Sequence, residues 1–383
     1  MSGSKSLRGR LLLDGKLLTG TIGWEGGRID RLDVEGEIGG SELPIVAPGL
    51  VDLHVHGFGG AEPLEDLAAM AGALAHAGTT AFQPTLFPAT PERLGEQCAE
   101  LWKRASRATG TGARAVGIHL EGPFVNPESA GALPKSDLCA PSRSALRAIL
   151  GPPTGDGRGI RTMTLAPELE GSGDLVAELA RSGVRVSLGH SRASAAQARA
   201  AARAGASGAT HLFNAMRPWH HREAGLAGFA LTDGALFAEI IGDLVHVGAE
   251  AFELALRARG TDGLCLVSDA LSGAGTGCER FHSHGREHLV AGGAAFYPPS
   301  AEGAAPKLAG SASSQLEMVR KLVHQGVVAL PDALAIAAAT PAAALGLQKE
   351  IGALRIGLAA DLIVLRGKSL ELEQVFVGGT AVL

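Results

Sequence analysis

Aromatic residues make up only 4% of this 383-residue chain, and it contains a single tyrosine. Its core must therefore be built from Ala, Leu and Val rather than from rings. Cysteine is equally scarce. Cys98, Cys139, Cys265 and Cys278 lie far apart, with no Cys-x-x-Cys pair among them. That spacing excludes a disulfide framework and reads as reduced thiols of a cytosolic protein. No apolar run is long enough to span a bilayer. The opening MSGSKSLRGRLLLDG holds only three apolar residues together, unlike a secretory leader. Basic blocks are absent and the net charge is −5, which argues against nucleic acid or an anionic membrane as the main partner. The expectation is a cytoplasmic protein acting on a small molecule.

What is abundant is glycine, 54 residues of it, which favours many turns and close backbone approaches. Residues 8–48 alternate short β-like runs with glycine-rich turns, and so does the C-terminal stretch GALRIGLAADLIVLRGKSLELEQVFVGGTAVL. Neither end is large enough to be stable alone. Pairing them gives one small β-sandwich domain from residues 1–46 and 352–383. Between them, short apolar runs alternate with Ala-rich amphipathic stretches, the rhythm of βαβ units. Strands are predicted near 50–56, 79–83, 114–120, 160–166, 184–189, 207–211, 236–241 and 263–268. The clearest helices are 64–77, 91–108, 174–182, 194–204 and 249–259. Eight such units over 47–351 fit an α/β fold, a TIM-like (β/α)8 barrel whose eighth helix is delayed by a long insertion. A doubly wound open sheet is the structural alternative, but it would carry a glycine-rich phosphate turn after its first strand, where this chain has HVHG. Two long connections, 122–145 and 270–310, would lie on the C-terminal face of the barrel, where lids and substrate contacts are found.

The chemistry-bearing residues sit at the predicted strand ends. Asp52, His54 and His56 share one face of the first strand, because side chains two apart point the same way. The third strand ends in HLEGP with Glu121, the fifth in LGHS with His190, the sixth in THLFNAM with His211 and Asn214, and the eighth in LVSDA with Asp269. In a barrel these ends converge on one mouth. Four histidines and two carboxylates meeting there make a metal site of the zinc or iron type. Each residue alone has a plainer reading. A strand-end histidine is more often hydrogen-bonded structure than a ligand, and Glu121 or Asp269 alone could cap the helix that follows. The joint pattern, a ligand type at five of eight strand ends, outweighs these. His119 reads as a core histidine. His282 and His284 form another His-x-His, but in a glycine- and charge-rich insertion that reads as a solvent-exposed hairpin. His220 and His221 sit in a loop after Trp219, at the pocket or on the surface, and His76 and His324 read as helix-surface or packing residues.

The blocks PGLVDLHVHG, GIHLEGPFVN, SLGHS, THLFNAM, REAGLAG, LVSDA and ATPAAALGL, in that order over about 43–378, resemble the amidohydrolase superfamily, and within it the deacetylases of amino-sugar phosphates. In most of the superfamily a carboxylated lysine on the fourth strand bridges the metals. Here that strand reads IRTMTLAPELE and has no lysine, in keeping with Glu121 in that role. The resemblance implies one metal held by Glu121, His190 and His211, with Asp269 as general base and acid. It implies a second position at His54 and His56, with Glu121 bridging and Asp269 nearby. One or two divalent ions are expected, zinc or iron first, then manganese or cobalt. The implied reaction is hydrolysis of the acetamide of N-acetyl-D-glucosamine 6-phosphate, by metal-activated hydroxide, to glucosamine 6-phosphate and acetate. Asn214 and Ala215 match the family's contacts to the sugar phosphate, Arg222 and His246 its phosphate-binding groups, and Leu308, Ala309 and Gly310 its closing segment, with Ala132 and Leu133 in the loop at the sugar. In the family the arginine comes from the partner subunit, so a homodimer is implied.

Two departures stand out. One-metal members place a carbonyl-polarising histidine where this chain has Leu133, so the second metal position is expected to take over that task. Leu244 stands where the family has a glycine, two before His246, which implies a tighter or differently aimed phosphate loop. These departures keep other substrates open, namely N-acetylgalactosamine 6-phosphate or another N-acyl amine. A cyclic amidase would need the missing lysine, and a purine deaminase an H-x-x-E run that GHSRAS lacks. A catalytically silent barrel would be expected to have lost ligands, and all six are present.

Overall fold

The computed structural model describes residues 4–36, 42–107, 112–151, 157–300 and 305–383. The expected helix end at 108, and short stretches of the N-terminal segment and of the 270–310 insertion, lie outside them. Eight parallel strands form the barrel: Leu50–Val55, Thr79–Leu86, Ile118–Glu121, Ile160–Leu165, Arg185–Leu188, Gly208–Ala209, Phe237–Ile241 and Leu264–Val267, each paired with the next. Almost every residue of these strands is buried, as expected where one face meets the helices and the other fills the barrel. Helices follow the strands, among them Pro63–His76, Pro91–Arg107, Ser172–Arg181, Ala195–Ala204 and Ala249–Arg259. The helix Ala195–Ala204 starts on a reciprocal pair in which Ser194 and Gln197 each satisfy the other's backbone N–H.

Closure between the first and eighth strands is sparse. It rests on a bridge between Val55 and Ala270 and on backbone bonds from His56 N to Ala270 O (2.9 Å) and from Asp269 N to His54 O (2.8 Å). Deeper in the seam, the side-chain amide of Gln315 does the work of the missing ladder. It donates to Val51 O (3.0 Å) on the first strand and to Leu266 O (2.8 Å) on the eighth. Gln315 opens the delayed eighth helix, Gln315–His324. The insertion before it is not a loop. It is a four-stranded antiparallel meander, Arg280–Ser283, Arg286–Ala291, Ala294–Tyr297 and Lys307–Ser311. Its last strand docks beside the eighth barrel strand through Ser311 N to Asp269 O (2.8 Å).

The two chain ends share one seven-stranded sheet. The N-terminal strands Lys5–Leu13, Lys16–Glu25, Arg28–Gly36 and Ile45–Pro48 continue into Leu362–Arg366, Glu371–Val377 and Thr380–Ala381, with Ile45–Pro48 at the junction. Trp24 and Phe376 lie four ladder steps apart yet meet edge-to-face at 5.0 Å. At about 4.8 Å per step a flat sheet would hold them near 19 Å, so the sheet curls over a core of its own with Leu11, Ile22, Val46 and Leu362. Alternation then puts Leu12, Ile45, Ala47, Ile363 and Leu365 on the other face, in the barrel's core cluster. Arg114, beside the second barrel strand, pairs with buried Asp361 of the sheet.

Candidate metal centre and active site

Strand ends deliver the predicted residues to one spot. His54 and His56 project from the first strand, Glu121 from the third, and His190, His211 and Asp269 from the turns after the fifth, sixth and eighth. His190, His211 and Asp269 all have left-handed backbones, with φ of 47°, 29° and 48°. This conformation costs a non-glycine residue about 1–2 kcal/mol. Here it turns each strand end sharply, so that the ligand side chain enters the mouth.

Glu121 is the hub. Its Oε1 lies 2.9 Å from Nε2 of both His190 and His211, and its Oε2 lies 3.2 Å from Nε2 of His56. Asp269 Oδ1 is 3.5 Å from Nε2 of both His54 and His56. The Nε2 atoms of His54 and His56 approach to 3.2 Å, and those of His190 and His211 to 3.0 Å. Two ligands about 2.1 Å from a tetrahedral ion would be ~3.4 Å apart, so both pairs have the spacing of donors around a cation. Two groups could hold a metal ion, His54 with His56 and Glu121, and Glu121 with His190 and His211. For two of the four histidines the remaining ring nitrogen fixes the tautomer, whereas Nδ1 of His56 and of His211 has no partner among the described residues. His190 Nδ1–H donates to Ser129 O (2.8 Å) and His54 Nδ1–H to Glu239 Oε2 (3.3 Å), which leaves each Nε2 lone pair facing the centre. The donor set fits a divalent ion of the zinc or iron type.

The carboxylates and imidazoles of the cluster pull on one another's protons. Burial pushes the Glu121 carboxyl up, but the facing imidazoles of His190 and His54 hold it well below the usual range. Burial pushes His54 down, but Glu121 and Asp269 hold it well above its ordinary value. His119 is the core histidine expected. It is fully buried, its Nε2 is 2.8 Å from Thr164 Oγ1, and burial and nearby His54 push it to about 3.

A cavity of about 230 Å³ opens above this centre. It is lined by Ala132, Leu133, Asn214, Ala215, His246 and the segment Leu308, Ala309 and Gly310, together with the metal-facing side chains except buried His54. Leu133 packs with Val125 and Ala130 and presents only hydrocarbon to the cavity. Leu244 keeps a left-handed backbone, φ 56°, the conformation a glycine would take there. Asp243 sets His246 through a 2.7 Å bond from Nδ1–H and takes the Val245 and His246 backbone N–H groups at 2.8 Å. Arg222 is the outlier: it is exposed and does not line the cavity of its own chain.

Sequence reasoning missed several neighbours. Phe87, at the end of the second strand, stacks on the His56 ring at 3.9 Å. Lys307 lines the cavity and donates to Gly131 O (2.6 Å). Its cation beside LAGS was the available signal. Glu239 and Arg185, paired at 3.0 Å deep in the barrel, had no signal beyond a charge inside a strand. The exposed-hairpin reading holds: His282 and His284 are both exposed on the hairpin, and the tight turn at His284 and Gly285 also sets the His284 ring edge-on to Phe87 at 4.3 Å.

The chain belongs to the amidohydrolase family, whose pattern it matches over residues 45–382. It is 33% identical to N-acetylglucosamine-6-phosphate deacetylase of Rattus norvegicus, over 97% of this chain and 94% of that one. It is 32% identical to N-acetylgalactosamine-6-phosphate deacetylase of Escherichia coli O157:H7, over 88% of each. A point mutant of N-acetyl-D-glucosamine-6-phosphate deacetylase from Mycobacterium smegmatis, solved with N-acetyl-D-glucosamine 6-phosphate, superimposes with a TM-score of 0.88 at 29% identity and full coverage of both chains.

Proposed function

We propose that the chain hydrolyses the acetamide of N-acetyl-D-glucosamine 6-phosphate to glucosamine 6-phosphate and acetate. The observation that carries this reading is the convergence of His54, His56, Glu121, His190, His211 and Asp269 beneath a cavity lined by Asn214 and His246. The relatives named above act on this class of substrate. Divalent ions bound by Glu121, His190 and His211, and by His54, His56 and Glu121, would acidify water and polarise a carbonyl. Asp269, held by its N–H to His54 O, takes the proton of the attacking water on a carboxylate oxygen and gives it to the departing amine. His246, aimed by Asp243, and Asn214 with the Ala215 backbone bind the sugar phosphate. Leu133 and the Leu308–Gly310 segment close round the ring and exclude water. Leucine cannot polarise a carbonyl, so the His54–His56 pair is read as a working metal position and not a relic.

Arg222 is assigned to the phosphate of the neighbouring subunit's substrate. Its exposure supports this, as does Trp219 in the same loop, 56% exposed, since an open tryptophan suits an interface. A homodimer follows. The four free cysteines suit a cytoplasmic location, and no described helix is long and apolar enough to cross a membrane. In this reading residues 47–351 carry catalysis, and 1–46 with 352–383 buttress the barrel. N-acetylgalactosamine 6-phosphate is a second substrate reading, favoured by the Escherichia coli relative and by Leu133 at the sugar loop.

The test is acetate release from both phosphorylated isomers and from plain N-acetylglucosamine, before and after a chelator. Chelator-sensitive release, strongest with the glucosamine phosphate, is expected. Asp269→Asn should keep its metal, measured by elemental analysis, and lose about 10²–10⁴-fold in turnover. Wild-type turnover in that variant would sink the role given to Asp269.

A further inference from the structure

Glu168 lies just beyond the fourth barrel strand, Ile160–Leu165, and does not line the active-site cavity. Its carboxylate nevertheless gathers three donors from two other strand-end loops. Oε1 accepts from Arg192 N–H (2.6 Å) and from the Asn126 side-chain amide (2.8 Å), and Oε2 accepts from the Ser191 hydroxyl (2.7 Å). That hydroxyl is aimed at Glu168 because its oxygen already accepts Ala193 N–H (3.0 Å). Both loops lead to His190. Ser191 and Arg192 follow it directly in the chain. Asn126 reaches it by two routes. Its backbone N–H donates to His190 O (3.0 Å). Its side-chain and backbone oxygens accept from Glu128 N–H and Ser129 N–H, at 2.9 Å each, and so shape the short turn Pro127–Ser129. The Ser129 carbonyl at the end of that turn is the acceptor for His190 Nδ1–H.

We propose that Glu168 is a positioning residue of the metal centre, which holds the His190 turn and the Ser129 carbonyl in one frame. The proposal deepens the deacetylase reading and rests on its metal centre. The backbone of His190 supports it. A left-handed conformation at a non-glycine residue persists only where its surroundings over-determine it. Glu168 grips the turn from one side. From the other, Ser191 N–H donates to Ala215 O (3.0 Å) and Ser191 O accepts from Arg217 N–H (3.1 Å). Residue type supports it as well. A carboxylate has two oxygens and about four acceptor sites, enough for three donors at once, and hydrogen bonds to an ionised acceptor are the stronger kind. Glu168 touches neither the donor nitrogen of His190 nor the cavity, so it acts through Ser191, Asn126 and Ser129. Groups of this kind set the aim and tautomer of a ligand imidazole, and with them its affinity for the ion.

The experiment measures zinc affinity of the full chain by chelator competition. It is run in wild type and in a His54→Ala/His56→Ala background, where only the position at Glu121, His190 and His211 remains. In that background Glu168→Ala should weaken zinc by about 10–100-fold. Asn126→Ala cuts only the arm to Ser129 and should weaken it by about tenfold. Glu168→Gln can meet the same three groups, its oxygen accepting from Asn126 and Arg192 and its nitrogen donating to the Ser191 hydroxyl. It should stay within about fivefold of its parent. With His54 and His56 intact, turnover of Glu168→Ala should climb towards wild type as zinc is raised, since no group that meets the substrate is lost. A carboxylate that merely ties loops together would lower the urea midpoint and leave the zinc affinity of the folded chain unmoved. That result overturns the proposal, as does an equal loss in the alanine and glutamine variants. Should Glu168→Ala fail to fold, Asn126→Ala decides, and parental zinc affinity in that variant overturns the proposal. A wild-type chain that takes up no zinc would instead overturn the metal-centre reading on which it stands.

Discussion

At the scale of single residues, the most informative group is one the sequence pattern could not flag. Glu239 is fully buried between His54 and Arg185. A buried ion pair is weak evidence for stability, because desolvating both charges offsets their attraction. Its placement behind the imidazole of His54 gives it another use in the proposed centre, holding that ring in the tautomer a metal ligand needs. Glu239→Gln should weaken metal binding by about 10–100-fold in chelator competition. It should also destabilise the protein by about 3–5 kcal/mol in urea at pH 7, because Arg185 is left buried and unpaired. The pH dependence has a definite sign. Burial pushes the Glu239 carboxyl up, but the His54 hydrogen bond and Arg185 charge bring it to about 2 from 4.5. Its contribution is complete above pH 4.5 and is lost as pH falls towards 2. Wild-type urea midpoints should fall across that window more steeply than those of the glutamine variant. The six polar metal-centre residues were legible in the sequence because chemistry-bearing types at strand ends are rare. Glu239 was not, because a charge within a strand reads as solvent-facing until the barrel closes round it.

At the scale of elements, strand positions were readable from apolar runs, whereas closure was not. The seam between Leu50–Val55 and Leu264–Val267 depends on the Gln315 amide, and Gln315 in sequence is only the first residue of a helix. Gln315→Leu keeps the bulk and orphans two buried carbonyls, so a loss of about 2–4 kcal/mol is expected in denaturant unfolding. A neutral result would mean that water or backbone shifts heal the seam. The 270–310 insertion was recognised as long, but its meander was hidden, since short Gly-punctuated strands look like loop. His284, which local composition placed in solvent, is exposed as expected, but its edge-on contact with Phe87 was not foreseeable without the meander's turn. Leu244 teaches the converse. A residue that looks like a departure takes a left-handed backbone, the region most open to glycine, so the chain carries the strain there.

At the scale of the whole molecule, the barrel and the two-ended sheet were both foreseeable, the first from its rhythm and the second because neither end could stand alone. The proposed homodimer draws its support from the exposed Arg222 and Trp219. If Arg222 serves the partner's site, Arg222→Ala should raise KM for the phosphorylated sugar by about 10–100-fold and leave the plain sugar unchanged. At substrate well below the raised KM, mixing inactive Asp269→Asn with impaired Arg222→Ala should then restore about a quarter of wild-type activity, because half the dimers are mixed and each has one intact site. No restoration after subunit exchange would show that the arginine does not act across subunits. The two-ended sheet also sets a timetable. The strand Ile45–Pro48 leaves the ribosome early, and the strand that pairs along it begins at Leu362, more than 300 residues later. At about 5–20 residues per second this is roughly 15–60 s of synthesis. Throughout that interval an apolar strand edge is open while the barrel is still being made. Newborn chains, rather than finished ones, are where this protein is most prone to aggregate, and a premature stop before Leu362 would make that exposure permanent.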